Sequence, residues 1–333
     1  MMERDLIKEL EQILGPEYSS GVLCGIGDDT ALLKNPGIGN DLLMTTDSQR
    51  EGVHFKWSWI DPLSVGFRLV AVNVSDIASK GGVPYAGVVA VGLPPDFDSG
   101  ILKDVYRGIA EACRSYGFST VGGDLSRDAG GWNFVMTLVG WVPGSVFPRR
   151  SGLSEGDSIY LIGRPGRARS GFLSLSKGVE DPLLEEARNS FRRPRALLSI
   201  GQRLARRPEV SATIDTSDGL ERSLLELVWA SNLSIGIKSL PVGEEVRKWA
   251  LLLGQSPEGL VWTGGEDYDL VLGVRRGEEG VFERWANEDL LAGSEERLFF
   301  IGTAKKREFR ELLLPKTIKS RVLTGRGFDH TEP

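Results

Sequence analysis

The chain has 333 residues, 41% of them apolar and 26% charged, with a formal net charge of -6. This length suits two domains or one large one with a sizeable core, and the acidic balance argues against a general nucleic-acid binder. An anionic substrate stays open, because bound cations can invert the local field.

Two cysteines, Cys24 and Cys113, and no CxxC motif give no ground for a disulfide framework or a zinc site. The first ten residues lack the apolar core of a signal peptide, and no apolar run approaches the roughly 20 residues of a membrane span. A reducing cytoplasm is the simplest expected compartment.

Leu6, Leu10, Ile13 and Leu14 fall at helical spacing, which predicts an amphipathic helix over 3–14. The stretch Gly25-Ile26-Gly27-Asp28-Asp29 follows, a tight turn with adjacent carboxylates, and then Ala31-Leu32-Leu33 reads as a buried strand. Neighbouring carboxylates repel each other and are tolerated more easily around a cation. A second strand over 41–47 ends in Thr45-Thr46-Asp47, an oxygen-rich end that suits a hard cation such as magnesium. Taken alone, a lone aspartate in either turn reads more readily as a hydrogen-bonded Asx turn. His54, one of two histidines, lies just beyond and reads either as catalytic or as an ordinary surface or core residue.

A helical pattern runs from 62 to 82 through Val65, Leu69, Val72 and Ile77, crosses Asn73-Val74-Ser75-Asp76 and stops at Gly81-Gly82. The small apolar run 85–93 predicts a strand buried on both faces. A helix over 98–116 follows, then a strand entering Gly122-Gly123-Asp124, which lets a backbone approach a ligand and sets a carboxylate beside it. Arg127 reads as a phosphate partner or a surface arginine. Residues 133–142 give the clearest strand.

The Pro-, Gly-, Ser- and Arg-rich segment 143–157 reads as a domain junction. A strand over 158–162 leads into the glycine-punctuated loop 163–171, which reads as a phosphate cradle or as a plain strand-to-helix turn; it has no Gly-Lys-Ser/Thr ending and is not a Walker A loop. The arginines of 188–207 read as a solvated helix face rather than a nucleic-acid patch, since exposed aromatics do not interleave them. Asp215-Thr216-Ser217-Asp218-Gly219 joins a short strand to a helix and reads as a ligand-binding helix start or as a cap by Asp218. A helix near 243–253 precedes Gly264-Gly265-Glu266-Asp267, which repeats the glycine-acid-strand theme, and 278–297 predicts an acidic surface helix with loops.

The ordered set Gly27-Asp28-Asp29, Thr45-Thr46-Asp47, Gly52-Val53-His54-Phe55, Asn73-Val74-Ser75-Asp76, Gly122-Gly123-Asp124, Asp215-Thr216-Ser217-Asp218-Gly219, Gly264-Gly265-Glu266-Asp267-Tyr268 and Gly327-Phe328-Asp329-His330 resembles the signature of the thiamine-monophosphate kinase family. The resemblance covers nearly the whole chain. It implies the two-domain fold of the aminoimidazole-ribonucleotide synthetase superfamily: an N-terminal α/β domain, here 1–145, that dimerises by sheet pairing, and an α+β domain, 146–333. It also implies a homodimer that transfers the γ-phosphoryl group of ATP to thiamine monophosphate. By that resemblance magnesium ligands fall on Asp29, Thr45, Thr46, Asp47, Asp76, Asp124, Asp215 and Asp218, ATP contacts on Tyr106, Gly123, Asp124, Arg150 and Ser217, and substrate contacts on His54, Glu266 and Phe328. Two polyanions have to approach, so several cations are needed, and phosphoryl transfer then asks mainly for positioning and charge stabilisation. Phe328 reads as a stacking partner of the substrate ring or as a C-terminal core anchor.

The sequence departs from the family pattern at Lys80, where an apolar residue is usual, in the segment 125–131, and in its ending. Three other readings compete: another ATP-using synthetase of the superfamily, a non-catalytic metal-binding or scaffold protein, and a metal-dependent phosphohydrolase.

Overall fold

The computed structural model describes residues 21–35, 39–144, 147–307 and 312–314. The helix expected over 3–14 and the ending that holds Phe328 lie outside the described residues.

The first sheet takes its strands from β1 (Val22–Cys24), β2 (Ala31–Leu33), β3 (Leu42–Arg50), β4 (Val83–Leu93), β5 (Ser119–Arg127) and β6 (Asn133–Trp141), in the order β1-β2-β3-β6-β4-β5. Only β4 and β5 run parallel; the other pairs are antiparallel. Two helices of 18 residues cover one face: α1 (Pro62–Ser79) and α2 (Ser99–Tyr116). Asp61 starts α1 by accepting the Ser64 amide at 3.0 Å, and Pro62 at the first turn needs no amide partner there. The two helices touch backbone to backbone. A Cβ on Gly66 would come within 1.9 Å of the Val105 carbonyl oxygen, and one on Gly108 within 1.8 Å of the Leu63 oxygen.

Leu43, Val89, Val91, Phe134, Met136 and Leu138 of the sheet pack against Leu69, Val74, Val105 and Ile109 of these helices. Among the described residues no helix covers the opposite face, where Tyr85, Val88 and Leu125 are exposed. The strand expected to be buried on both faces, β4, alternates instead, with Val89 and Val91 inside and Tyr85 and Val88 outside. Small apolar side chains gave a continuous run, but helices cover only one side of this sheet.

The second sheet has the order β12-β9-β11-β7-β10-β8, built from β7 (Ser158–Gly163), β8 (Val210–Asp215), β9 (Leu233–Ile237), β10 (Leu270–Val274), β11 (Arg297–Lys306) and β12 (Leu312–Leu313). Every residue of β7, β8 and β10 is buried. The helices of this half are α3 (Arg167–Lys177), α4 (Glu185–Arg192), α5 (Leu198–Leu204), α6 (Leu220–Ser231), α7 (Glu244–Leu253), α8 (Pro257–Trp262) and α9 (Glu279–Trp285). On one face Ile159, Leu161, Ala212 and Ile214 meet Leu224 and Leu227 of α6; on the other, Tyr160, Ile162, Leu270 and Leu272 meet Leu204 of α5 and Phe282 of α9.

The two halves join where the C-terminal end of α1 meets β8. The Thr213 hydroxyl donates to the Ser79 carbonyl there, and the Ser75 hydroxyl donates to Asp215 at 2.6 Å. This junction carries the site. Among the described residues no helix is long and apolar enough to cross a membrane.

Candidate active site

A cavity of about 620 Å3 opens at the junction, lined by Asp28, Asp29, Thr45, Asp47, Asp76, Arg150, Ser217 and Asp218 on one side and by His54, Phe172, Phe191, Glu266 and Tyr268 on the other. Its aspartates come from four separated stretches of chain. The turn before β2 supplies Asp28 and Asp29. Strand β3 supplies Asp47 on the same face as Thr45, α1 supplies Asp76, and the β8–α6 turn supplies Asp218, with Asp215 at the end of β8 next to Asp76. Carboxylate oxygens of Asp29, Asp76 and Asp215 lie within 4.8 Å of one another.

These acids do not share one electrostatic environment. Burial raises the Asp29 carboxyl, but Arg150 and Lys80, with the Ser79 hydroxyl, outweigh it and hold the group down at about 2. Burial and then Asp215 and Asp218 push Asp47 up to about 7. Burial, Asp47, Asp215 and Asp29 push Asp76 well above the usual carboxylate range, and burial and Asp29 raise Asp215 against its bonds from Ser75 and Ser217. Among the described residues no lysine or arginine forms an ion pair with Asp47, Asp76 or Asp215. Raised carboxyls of this kind are the mark of charges that lack a counter-ion. The donors are all oxygen, as magnesium requires.

Several expected residues sit here with identifiable partners. The Thr45 hydroxyl donates to Asp76 at 2.5 Å. The Thr46 hydroxyl turns to the opposite face of the strand, where it donates to the Met136 carbonyl at 3.0 Å. Ser217 donates to Asp215 at 2.9 Å, and Arg150 grips Asp29 through Nε at 2.8 Å and through Nη2. His54 accepts the Arg50 amide at Nδ1, 3.0 Å, so that bond places the ring proton of the neutral form on Nε2.

Glu266 and Tyr268 both adopt positive φ, 70° and 54°, a left-handed backbone that non-glycine residues seldom take and that clusters at functional sites. Arg68, fully buried in α1, pairs with Glu266, donates Nε to Gln49 at 2.8 Å and Nη1 to the Phe191 carbonyl, and lies over the Phe191 ring. Sequence reasoning passed over Arg68; its one signal was a lone cation on the apolar stripe of a buried helix.

Other expected residues are placed elsewhere. Tyr106, Gly123 and Asp124 line a separate hollow of about 650 Å3 between α2 and β5. Gly123 also has a structural cause: a Cβ there would meet the Val89 carbonyl oxygen at 1.9 Å across the β4–β5 pairing. The Arg127 side chain is engaged with the Pro95 carbonyl at 2.9 Å and lies over Phe97. The 163–171 loop is a strand-to-helix turn whose amides are taken, since Gly166 and Ala168 donate to the Asp267 carboxylate at 2.6 and 2.7 Å. Helix α6 begins at Gly219, φ 98°, without a side-chain cap, so Asp218 is not its cap. Of the arginines of 188–207, Arg188, Arg193, Arg203 and Arg207 are tied to Glu185, Glu111, Asp289 and Glu209, and Arg193 and Arg207 also lie over the rings of Phe67 and Trp285.

Cys24 stands 3.9 Å from Asp28. Burial and Asp28 raise its thiol more than Arg149 and Lys80 lower it, the opposite of an activated nucleophile.

Residues 27–142 match the family described as AIR synthase related protein, N-terminal domain. A thiamine-monophosphate kinase of Rhodopirellula baltica is 30% identical over 270 residues, 79% of this chain and 79% of its own. The chain belongs to the thiamine-monophosphate kinase family. A second kinase of the family, from Aquifex aeolicus, is 33% identical over 250 residues, 74% of this chain and 79% of its own. The structure of AaThiL complexed with AMPPCP and TMP superposes with a TM-score of 0.83 at 28% identity, covering 99% of this chain and 97% of that one. The fold is that of the AIR synthase-like superfamily, as the family resemblance implied.

Proposed function

We propose that the protein transfers the γ-phosphoryl group of ATP to thiamine monophosphate, giving thiamine diphosphate and ADP, with magnesium held by Asp47, Asp76, Asp215 and Asp218 beside Asp29. The observation that carries this reading is the convergence of aspartates from four stretches of chain on one cavity with Arg150, Ser217, His54 and Glu266. Magnesium, when bound, neutralises phosphate oxygens and lowers the repulsion between the two anionic substrates.

The chain's own groups do the rest. Arg150, raised further into its charged form mainly by Asp29 against the cost of burial, presents a permanent cation at the cavity wall. Asp215 and Ser217, locked by their mutual bond, fix the β8–α6 turn. A phosphate monoester has its second ionisation near pH 6, so the attacking oxygen is largely ionised at neutral pH and needs no general base. Phe172, Phe191 and Tyr268 supply apolar walls for the substrate's rings, with the Glu266 carboxylate beside them to meet a cationic ring.

Pairing of the open sheet face with a second copy is part of the proposal. Tyr85 is 64% exposed, Leu125 57%, Val88 43% and Met44 42%, an apolar surface that a monomer would leave in water. The free thiols Cys24 and Cys113 fit a reducing cytoplasm.

The deciding experiment incubates the protein with magnesium, ATP and thiamine monophosphate and follows thiamine diphosphate and ADP together. Equal formation of both is expected. ADP without thiamine diphosphate, or phosphate released from thiamine monophosphate without ATP, would overturn the assignment.

A further inference from the structure

Lys80 is the C-cap residue of α1 and is fully buried. Its ammonium lies 2.7 Å from Asp28 Oδ1 and 2.7 Å from Asp29 Oδ2, and it donates to the Thr213 carbonyl at 2.7 Å and the Pro148 carbonyl at 3.4 Å. A helix C-terminus is where the backbone itself favours a positive charge.

The partners of Asp29 are then complete. Oδ1 accepts Nε and Nη2 of Arg150, and Oδ2 accepts Lys80 and the Ser79 hydroxyl at 2.6 Å. Two oxygens of a carboxylate offer about four acceptor sites, and four donors fill them. Asp28 accepts Lys80 and the Asp29 amide on Oδ1 and the Arg150 amide on Oδ2. The cluster therefore has two poles. Asp28 and Asp29 are balanced by Lys80 and Arg150, two charges against two. Among the described residues Asp47, Asp76 and Asp215 have no such partner, although Asp76 and Asp215 lie within 4.8 Å of an oxygen of Asp29.

We propose that Lys80 is a resident cation of the acid cluster, holding the Asp28–Asp29 pole so that divalent ions load only at the Asp47–Asp76–Asp215 pole. The idea rests on the magnesium reading above. It assigns Asp29 the role of counter-ion to Lys80 and Arg150 instead of divalent ligand. Removing the ammonium leaves two buried carboxylates with one arginine, a pole that then attracts a further divalent ion.

Manganese, read by the electron paramagnetic resonance of the free ion, counts the sites in the full-length protein. Lys80→Met is expected to bind one more Mn2+ per chain than the wild type. Equal, non-zero counts overturn the proposal and leave the magnesium reading standing; no bound Mn2+ in either protein overturns both. If Lys80→Met does not fold, Asp28→Asn decides: it keeps the wild-type count of Mn2+ sites, whereas the loss of one Mn2+ per chain makes Asp28 a divalent ligand and overturns the proposal.

Discussion

The two sheets solve the same burial problem in different ways. In the second sheet β7, β8 and β10 are sealed on both sides, by α6 on one and by α5 and α9 on the other. In the first sheet α1 and α2 seal one side, and Tyr85, Val88 and Leu125 remain in contact with water. The sealed sheet gives its half a self-contained core. The half-sealed sheet carries apolar area whose burial requires another surface. The acids of the cavity draw on both, with Asp47 on a strand of the first sheet and Asp215 at the end of a strand of the second.

That contrast can be tested from the largest effect downward. Asp47→Asn removes a proposed magnesium ligand from the half-sealed sheet, and turnover is expected to fall by at least about 100-fold, the scale of losing one charge-stabilising group at a phosphoryl site. Circular dichroism should show the fold intact; wild-type turnover would break the ligand assignment. Leu161→Ala in sealed β7 is expected to cost ~2–5 kcal/mol of unfolding free energy by denaturant titration. Val88→Ala on the open face of an isolated monomer is expected to stay within about 0.5 kcal/mol, and comparable losses at the two positions would erase the distinction between the sheets.

Val88→Lys sharpens the same comparison at the level of assembly. A charge set into an apolar face is expected to shift the proposed dimer towards monomer in sedimentation velocity without lowering the content of secondary structure. An unchanged dimer would place the interface elsewhere. A modest effect is expected at the start of α1. Asp61→Ala is expected to cost about 1 kcal/mol. Burial opposes it, but the Ser64 hydroxyl and amide bonds lower the Asp61 carboxyl, so its contribution is present above the ordinary carboxylate range and is lost as pH falls through the lowered value. The stability gap between wild type and Asp61→Ala should therefore narrow in acid, and a gap that widens there would refute the cap.

Local patterns revealed most elements. The apolar spacing from Pro62 and the Gly81-Gly82 stop bounded α1, and the apolar run 133–142 marked β6, whose inward residues Phe134, Met136 and Leu138 meet the helices. What escaped the sequence was long-range. The run 85–93 could not tell whether a second layer covers the strand. The 163–171 loop looked ready for a phosphate because its internal anion, Asp267, stands about a hundred residues further on. The nearness of Lys80 to Asp28 and Asp29 depends on α1 folding back across the turn before β2, and no spacing rule announces that. Tyr106, Gly123 and Asp124 were grouped with the acids through family likeness, whereas within one chain they border a different hollow.

The guanidinium of Arg68 is joined to Gln49 on β3, to Phe191 on α4 and to Glu266 ahead of β10. It thus laces three walls of the cavity to the middle of one helix. Parting the two halves of the molecule to admit a ligand would break these contacts to a buried charge. Val53, 53% exposed, lines the same cavity beside His54, so an approach past these two residues leaves the Arg68 contacts whole.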